Sequence, residues 1–122
     1  MSAEAIADAV VLLPRRYHEG QLSPYDILKG TGYFDRHADV SEQLIARALS
    51  NDPRLLDEWV QYSDDQRTDS GWFIREEPHG YLVAYFPKQR TGPDLEINRT
   101  RYADKLSACA AFVKHHIETI RE

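Results

Sequence analysis

The sequence is poor in the features that stabilise small secreted proteins or anchor membrane proteins. It contains one cysteine, Cys109, so no disulfide can form within the chain and no cysteine cluster is available for structural zinc. No apolar run approaches the roughly 20 residues that a helix needs to cross a bilayer. In the opening stretch MSAEAIADAVVLLPRR the acids precede the apolar run and the arginines follow it, which is the reverse of a signal peptide. These absences predict a cytoplasmic protein without a membrane segment.

Motifs of the common catalytic and nucleotide-binding sites are also missing. There is no G-x-G-x-x-G, no Walker loop, no H-E-x-x-H and no G-x-S-x-G. Neither of the adjacent acid pairs, Asp64-Asp65 and Glu76-Glu77, is expected to converge on a substrate, because acid–base work needs two different environments. We therefore assign no catalytic residue, no metal ligand and no cofactor, and keep an enzymatic activity only as an alternative.

What is present is the composition of one globular domain. The 122 residues are 42% hydrophobic and 29% charged, a balance that supports a core without metals or disulfides. We predict a single domain over residues 1–122. The net charge of −5 is uneven, since residues 41–70 carry seven acids and three bases. An acidic field of this kind repels phosphate backbones and attracts basic partners, so we expect no direct binding of nucleic acid.

Capping residues predict four short helices in the first half of the chain. Ser2 can begin a helix over about 3–12, after which Pro14 ends it or starts a short second turn. Ser23-Pro24 begins another helix that stops at Gly30 or Gly32. The capping-box spacing of Asp39 and Glu42 predicts a third helix over about 40–50, and Asp52-Pro53 begins a fourth over about 53–63.

The helix over 53–63 has two unlike faces. An apolar stripe is predicted on one side, formed by Leu55, Leu56, Trp59 and Tyr62. Acids and an amide lie on the other side and continue past the end of the helix. The stretch 68–71 that follows has the composition of a turn, and Arg67 is expected to hold this loop by pairing with neighbouring aspartates.

The second half of the chain predicts an antiparallel sheet and a closing helix. Two β-rich runs flank a turn at 77–80, which places Ile74 opposite Val83 and Trp72 opposite Tyr85. The run LEIN, with Leu95 and Ile97, predicts a third strand. The hairpin is apolar on both faces, so we expect the N-terminal helices to cover one face and the C-terminal helix the other; the alternative is a dimer interface.

Asp104 can cap a helix that runs to about residue 120. One continuous stripe is predicted along it, formed by Leu106, Cys109, Ala110, Val113, Ile117 and Ile120. His115 lies away from that stripe, and His116 lies at its flank. Cys109 falls within the stripe and is expected to be a small buried residue rather than a nucleophile. The whole pattern predicts an α+β fold of N-terminal short helices, a three-stranded antiparallel β-meander and a long C-terminal helix.

One resemblance bears on function. The run DEWVQYSDDQRTDSGWFI, the aromatic hairpin after it and the later CAAFVKHHI resemble small bacterial proteins of α+β type. Some small acidic bacterial proteins of this build serve as immunity proteins, which neutralise the toxin of an interbacterial competition system. The similarity covers residues 55–117 and implies a possible role, but it transfers no site residues.

Charge and resemblance together predict a binding protein that blocks a basic partner, such as a toxin domain, by occlusion. The expected contact surface follows the acidic side of the fourth helix and consists of Asp57, Glu58, Gln61, Tyr62, Asp64, Asp65 and Asp69. We expect a monomer or weak dimer. Two alternatives stay open: a stand-alone domain that binds or transforms a small molecule between helices and hairpin, and a homodimeric interaction module.

Overall fold

A computed structural model describes residues 2–65, 71–87 and 97–122. The chain has an α+β fold in which helices precede a three-stranded antiparallel sheet and one long helix follows it. The helices are α1 (Ala3–Val10), α2 (Leu13–His18), α3 (Pro24–Gly30), α4 (Tyr33–Arg36), α5 (Glu42–Ser50), α6 (Arg54–Asp65) and α7 (Lys105–Arg121). The strands are β1 (Gly71–Glu77), β2 (Gly80–Phe86) and β3 (Ile97–Tyr102), and a short 3-10 turn, His37–Asp39, precedes α5.

Side-chain caps explain where several helices begin. The side chains of Ser2, Ser23 and Asp104 each accept a hydrogen bond from a backbone N–H in the first turn of α1, α3 and α7, as predicted. The helix predicted over about 40–50 is present as α5, but its predicted cap was wrong, because Ser41 and not Asp39 caps it. Asp39 instead ends the 3-10 turn and pairs with Arg36 at 2.7 Å.

The sequence pattern did not clearly predict two of the helices before the sheet, α2 and α4. The chain makes a break at Leu12, and Pro14 lies in the first turn of α2, where its missing N–H costs nothing. The one-turn helix α4 follows Gly32, whose positive φ of 86° redirects the chain. A single turn is too short to show a helical period in the sequence, which is why α4 was not predicted. Among the described residues before the sheet, six helices occur where four were predicted, with a second turn at Pro14 left open.

The hairpin has the predicted register. Ile74 pairs with Val83 and Trp72 with Tyr85, and the turn joins Glu77 to Gly80. The third strand runs from Ile97 to Tyr102, so it includes the last two residues of the predicted LEIN strand and continues four residues beyond them. Leu95, the other apolar residue of that prediction, lies outside the described residues.

The expectation that helices cover both faces of the sheet was wrong for the described helices. Ile74 and Val83, on one face, belong to the same core as residues of α6 and α7. The other face carries a separate buried cluster of Phe73, Leu82 and Ala84, with Phe86 partly buried beside it. In the described residues this second cluster is thus buried separately from the larger core.

Helix α7 supplies the centre of the larger core. Six consecutive residues, from Ala108 to Val113, are buried, so this half of the helix meets protein on every side. Ile117 is also buried, whereas Leu106 and Ile120 are partly buried at the two ends of the predicted stripe. Cys109 is buried as expected, and burial raises the pKa of its thiol to about 12.

The free edge of β1 is closed by a side chain of α6. The backbone N–H of Ile74 donates to Ser63 Oγ at 2.9 Å, and the same hydroxyl donates to the Ile74 carbonyl at 3.3 Å. An edge strand with unpaired backbone groups is prone to pair with another chain, so this contact protects the sheet while it fixes the end of α6. Within the described ranges, no helix combines the length and apolar character needed to cross a membrane.

The hairpin turn generates a first prediction. Gly80 has a φ of 149°, and a Cβ at this position would collide with the carbonyl oxygen of Tyr102. We expect Gly80→Ala to lower the free energy of unfolding by about 1–3 kcal/mol, because both the backbone and the neighbouring strand must adjust. The matched control is Gly30→Ala, where no atom lies within 4 Å of the added carbon. Chemical denaturation that finds equal losses for the two variants would contradict the prediction.

The burial pattern of α7 generates a second prediction. Ile117→Ala should lower the free energy of unfolding by about 2–5 kcal/mol, because a fully buried side chain leaves a cavity. Thr119 is exposed two residues later and donates only to the His115 carbonyl of its own helix. Thr119→Ala should therefore change stability by less than about 0.5 kcal/mol. Comparable losses at the two positions would mean that the helix presents a different face to the core.

Candidate functional site

Four of the predicted contact residues lie on one exposed face of α6. Asp57, Gln61, Asp64 and Asp65 are all exposed, and their spacing of four, seven and eight residues places them along one side of the helix. We call these four residues the α6 acidic face. On the opposite side, Leu55, Trp59 and Tyr62 are buried, so the predicted division of this helix into an apolar and an acidic side is correct.

Two contacts shape the charge of the α6 acidic face. Lys105, at the start of α7, forms an ion pair with Asp57 at the first-turn end of the face. At the other end Gln61 donates to Asp65 at 3.1 Å, a contact between neutral and charged groups that leaves the charge of the carboxylate in place. Asp57 is therefore paired with a cation, while Asp65 keeps its charge beside Gln61 at the end of the helix.

Glu58 belongs to a different cluster. The Nε and Nη2 atoms of Arg15 in α2 each donate to the Glu58 carboxylate at 2.7 Å. Arg15 also pairs with Asp52 at 2.8 Å, and Arg54 pairs with the same aspartate. The hydrogen bonds from Arg54 and Arg15 hold the pKa of Asp52 well below its usual range. Glu58 thus joins α2 to α6 and has a partner for its charge.

Tyr62 lies in the core, so its assignment to a contact surface was wrong. Its side chain is 1% exposed, and its hydroxyl lies 2.8 Å from Nε2 of His116. The physical reason is the helical period, because Tyr62 shares a face with Trp59 and Leu55 and must enter the core with them. Asp69, the last residue of the predicted surface, lies outside the described residues. So does Arg67, which is predicted to hold the loop by pairing with aspartates.

The Tyr62–His116 pair sits in an aromatic cluster between α6 and α7. The ring of His116 stacks on Phe112 with centroids 5.5 Å apart, and Trp59 approaches it edge-on. Burial lowers the pKa of His116 to about 4 and raises the pKa of Tyr62. Both groups are therefore neutral near pH 7, which suits a structural hydrogen bond. The sequence placed His116 at the edge of the stripe but gave no sign of this partner.

A groove of about 390 Å³ lies between the sheet and the last turns of α7. We call it the sheet–α7 groove. One wall is formed by Trp72, Tyr85 and Ile97 of the sheet. The other is formed by His115 and Glu118 of α7 and by Glu122, which follows the helix. The rings of Trp72 and His115 stack face to face, with centroids 3.9 Å apart and planes 10° apart. The Trp72–Tyr85 pairing was predicted from the sequence, but its contact with a residue of α7 requires the tertiary structure.

A smaller cavity, of about 270 Å³, lies at the turn of the hairpin. Its acid, Glu77, is held by Arg75 at 3.3 Å and by Arg101 at 3.2 Å, so its charge is compensated by its own neighbours. Among the residues that the structure describes, no group of three or more histidine, cysteine or acidic side chains is placed to hold a metal ion. In the described parts of the chain, the α6 acidic face and the sheet–α7 groove are therefore the surfaces on which a functional argument is built below.

The half-buried His116 generates a third prediction. As the pH falls from 6.5 towards 4, the unfolded chain takes up a proton at residue 116 while the folded chain does not. Stability should therefore decrease over this window, by at most about 3 kcal/mol from this group, and this contribution should vanish above pH 6.5. His116→Gln removes the titration, so its stability should fall less steeply than that of the wild type between pH 6.5 and 4.5. Equal slopes in urea denaturation, or a His116 ring that titrates by NMR near pH 6.5, would contradict the assignment.

Comparison of the chain with protein-family models, with curated proteins and with solved structures finds no match in any of the three.

Proposed function

We propose that this protein is a small binding protein whose α6 acidic face recognises a basic protein partner. It acts by occupying the partner's surface, with no chemical turnover. The observation that carries the proposal is the exposure of Asp57, Gln61, Asp64 and Asp65 along one side of a helix whose other side is buried. Such a helix holds its carboxylates at fixed positions, so little order is lost when a partner binds.

Three contacts support the rigidity that this role needs. The indole N–H of Trp59 donates to the Val11 carbonyl at 3.0 Å, which ties the middle of α6 to the end of α1. Ser63 ties the end of the helix to β1 through Ile74, and Tyr62 ties it to α7 through His116. Asp64 and Asp65 follow directly after these anchors, so the most acidic part of the face is held by a well-fixed turn.

Charge supports a basic partner over an acidic one. The chain has a net charge of −5, and residues 41–70 carry most of the excess. A surface of one sign raises the rate at which an oppositely charged protein arrives, and its effect is screened over about 8 Å at physiological ionic strength. The same field disfavours the phosphate backbone of nucleic acids as a direct partner.

Within this proposal, the biological role is that of an immunity protein. In that role the basic partner is a toxin domain, and the protein protects the cell that makes it by covering the toxin. This part of the proposal rests on the resemblance of residues 55–117 to small acidic immunity proteins. Occlusion requires only a stable, complementary surface, which agrees with the absence of an assigned catalytic group in the sequence.

The proposal generates a fourth prediction. With a partner recovered by affinity capture from the source organism, Asp64→Lys combined with Asp65→Lys should slow association about tenfold or more at low salt. The dissociation rate should change less, and the difference from the wild type should shrink at high salt. Stopped-flow binding at two ionic strengths measures both effects, and circular dichroism checks the fold.

The matched control makes the same change of charge elsewhere. Glu4→Lys combined with Asp8→Lys alters two exposed acids of α1, which lie outside the α6 acidic face. An association rate that falls equally in both double variants would show that net charge alone governs binding. An association rate at low salt that is unchanged by the α6 variant would overturn the proposed surface.

A further inference from the structure

We propose that the sheet–α7 groove is an anchor site for an arginine side chain of the partner protein. The inference rests on the proposed function for the basic nature of that partner, but the site itself is separate from the α6 acidic face. Its support comes from the aromatic walls of the groove, from its charge and from its position.

The walls of the groove offer flat aromatic surface. Trp72 and Tyr85 are cross-strand neighbours with ring centroids 5.5 Å apart, and both are partly exposed. The stack of His115 on Trp72 keeps the indole from rotating, because one of its faces is covered by a ring fixed to α7. A guanidinium group is planar and weakly hydrated, and it binds to aromatic rings more readily than an ammonium group does.

The charge of the groove favours a cation. Glu118 in the last turn of α7 and Glu122, the residue that follows the helix, both line the groove. Glu118 forms ion pairs with Lys114, at 3.2 Å, and with Arg121. The Glu122 carboxylate forms no ion pair in the part of the chain that the structure describes. None of the described lining residues is lysine or arginine. Among its described lining residues the groove therefore combines acids with aromatic rings.

The dimensions of the groove favour a side chain that arrives attached to a partner. It has a volume of about 390 Å³ and opens to solvent, so it can admit the aliphatic stem of an arginine together with its head group. The exposed side chain of Ile97, at 46% exposure, lies at the rim and offers apolar surface to that stem. An arginine that fills an aromatic pocket is a common centre of binding energy in protein interfaces.

The groove also lies close to the α6 acidic face. Ser63, the residue before Asp64, is bonded to the backbone of Ile74, and Trp72 precedes Ile74 by two residues of the same strand. Two residues of a strand span about 7 Å. One basic partner can therefore meet Asp64 and Asp65 and place an arginine in the groove at the same time.

The test uses three short peptides that differ in one side chain. Acetylated and amidated Gly-X-Gly is titrated into the ¹⁵N-labelled full chain, with arginine, lysine or the neutral isostere citrulline at X. We expect a saturable shift of the Trp72 indole N–H with the arginine peptide, about threefold weaker affinity for lysine and about tenfold weaker affinity for citrulline. The Trp59 indole N–H is buried and bonded to Val11, so it serves as an internal control and should not move.

Variants assign the binding to the groove. Glu122→Gln and Tyr85→Leu should each weaken the arginine peptide about threefold or more. Their matched controls are Glu4→Gln and Tyr25→Leu, which alter an exposed acid of α1 and an exposed tyrosine of α3. The controls should leave the affinity unchanged. No saturable shift, equal affinity for the citrulline peptide, or equal loss in the control variants would overturn the groove as an arginine site.

The same titration separates this inference from the proposed function. Suppose that the arginine peptide binds the wild type and that the Asp64→Lys and Asp65→Lys changes leave the association rate with the partner unchanged. This outcome overturns the α6 surface and supports the groove. Slowed association in that α6 variant, together with no response of Trp72 to the arginine peptide, overturns the groove and leaves the α6 acidic face.

Discussion

The structure depends on the burial of the first half of α7. A helix normally turns one side to the core, but Ala108 to Val113 are buried on all sides. Three alanines in this segment keep the helix narrow, so that its neighbours can approach it closely. Its neighbours are α5, α6 and the sheet, which pack around it from different directions. Because α7 fixes all of them, the outward face of α6 and the groove beside the sheet are consequences of how this helix is buried.

Polar contacts along α7 fix each neighbour in turn. The Cys109 thiol donates to the Leu56 carbonyl at 3.8 Å, and farther along, His116 meets Tyr62 of the same helix α6. Lys114 donates to the Tyr33 hydroxyl and to the carbonyls of His37 and Val40, at 2.9, 3.1 and 2.7 Å. The two carbonyls belong to the first residue of the 3-10 turn and to the residue that follows it, so Lys114 holds this turn against α7. One helix thus satisfies polar groups on both sides while it supplies the apolar core.

The parts of the fold that follow local rules could be predicted from the sequence. Ser23 and Asp104 cap helices because their side chains reach a backbone N–H three residues ahead, and the Glu77–Gly80 turn sets the register that pairs Ile74 with Val83. The same rule explains why Asp39 does not cap α5: Ser41 lies closer to its first turn. Which face of the sheet the helices cover depends on long-range packing, and the alternation of apolar residues is equally strong on both faces.

The candidate site divides in the same way. The exposed positions of Asp57, Gln61, Asp64 and Asp65 follow from the helical period alone. The pairing of Glu58 with Arg15 could not be predicted, because the two residues lie 43 positions apart and no local pattern joins them. Tyr62 was given two incompatible roles, as part of the apolar stripe and as a contact residue, and burial selects the first. The groove escaped prediction because Trp72 and His115 come together only when α7 lies across the sheet.

Native-state hydrogen exchange tests most directly whether α7 organises the whole fold. If it does, the amides from Cys109 to Ile117 exchange only when the entire chain unfolds, with a free energy equal to that from chemical denaturation. The amides of Leu82 and Val83 in the central strand should share that value, because the sheet loses its core when α7 leaves. Amides of α7 that exchange at a clearly lower free energy, while those of the strand stay protected, would show that the sheet stands without α7 and would contradict this account.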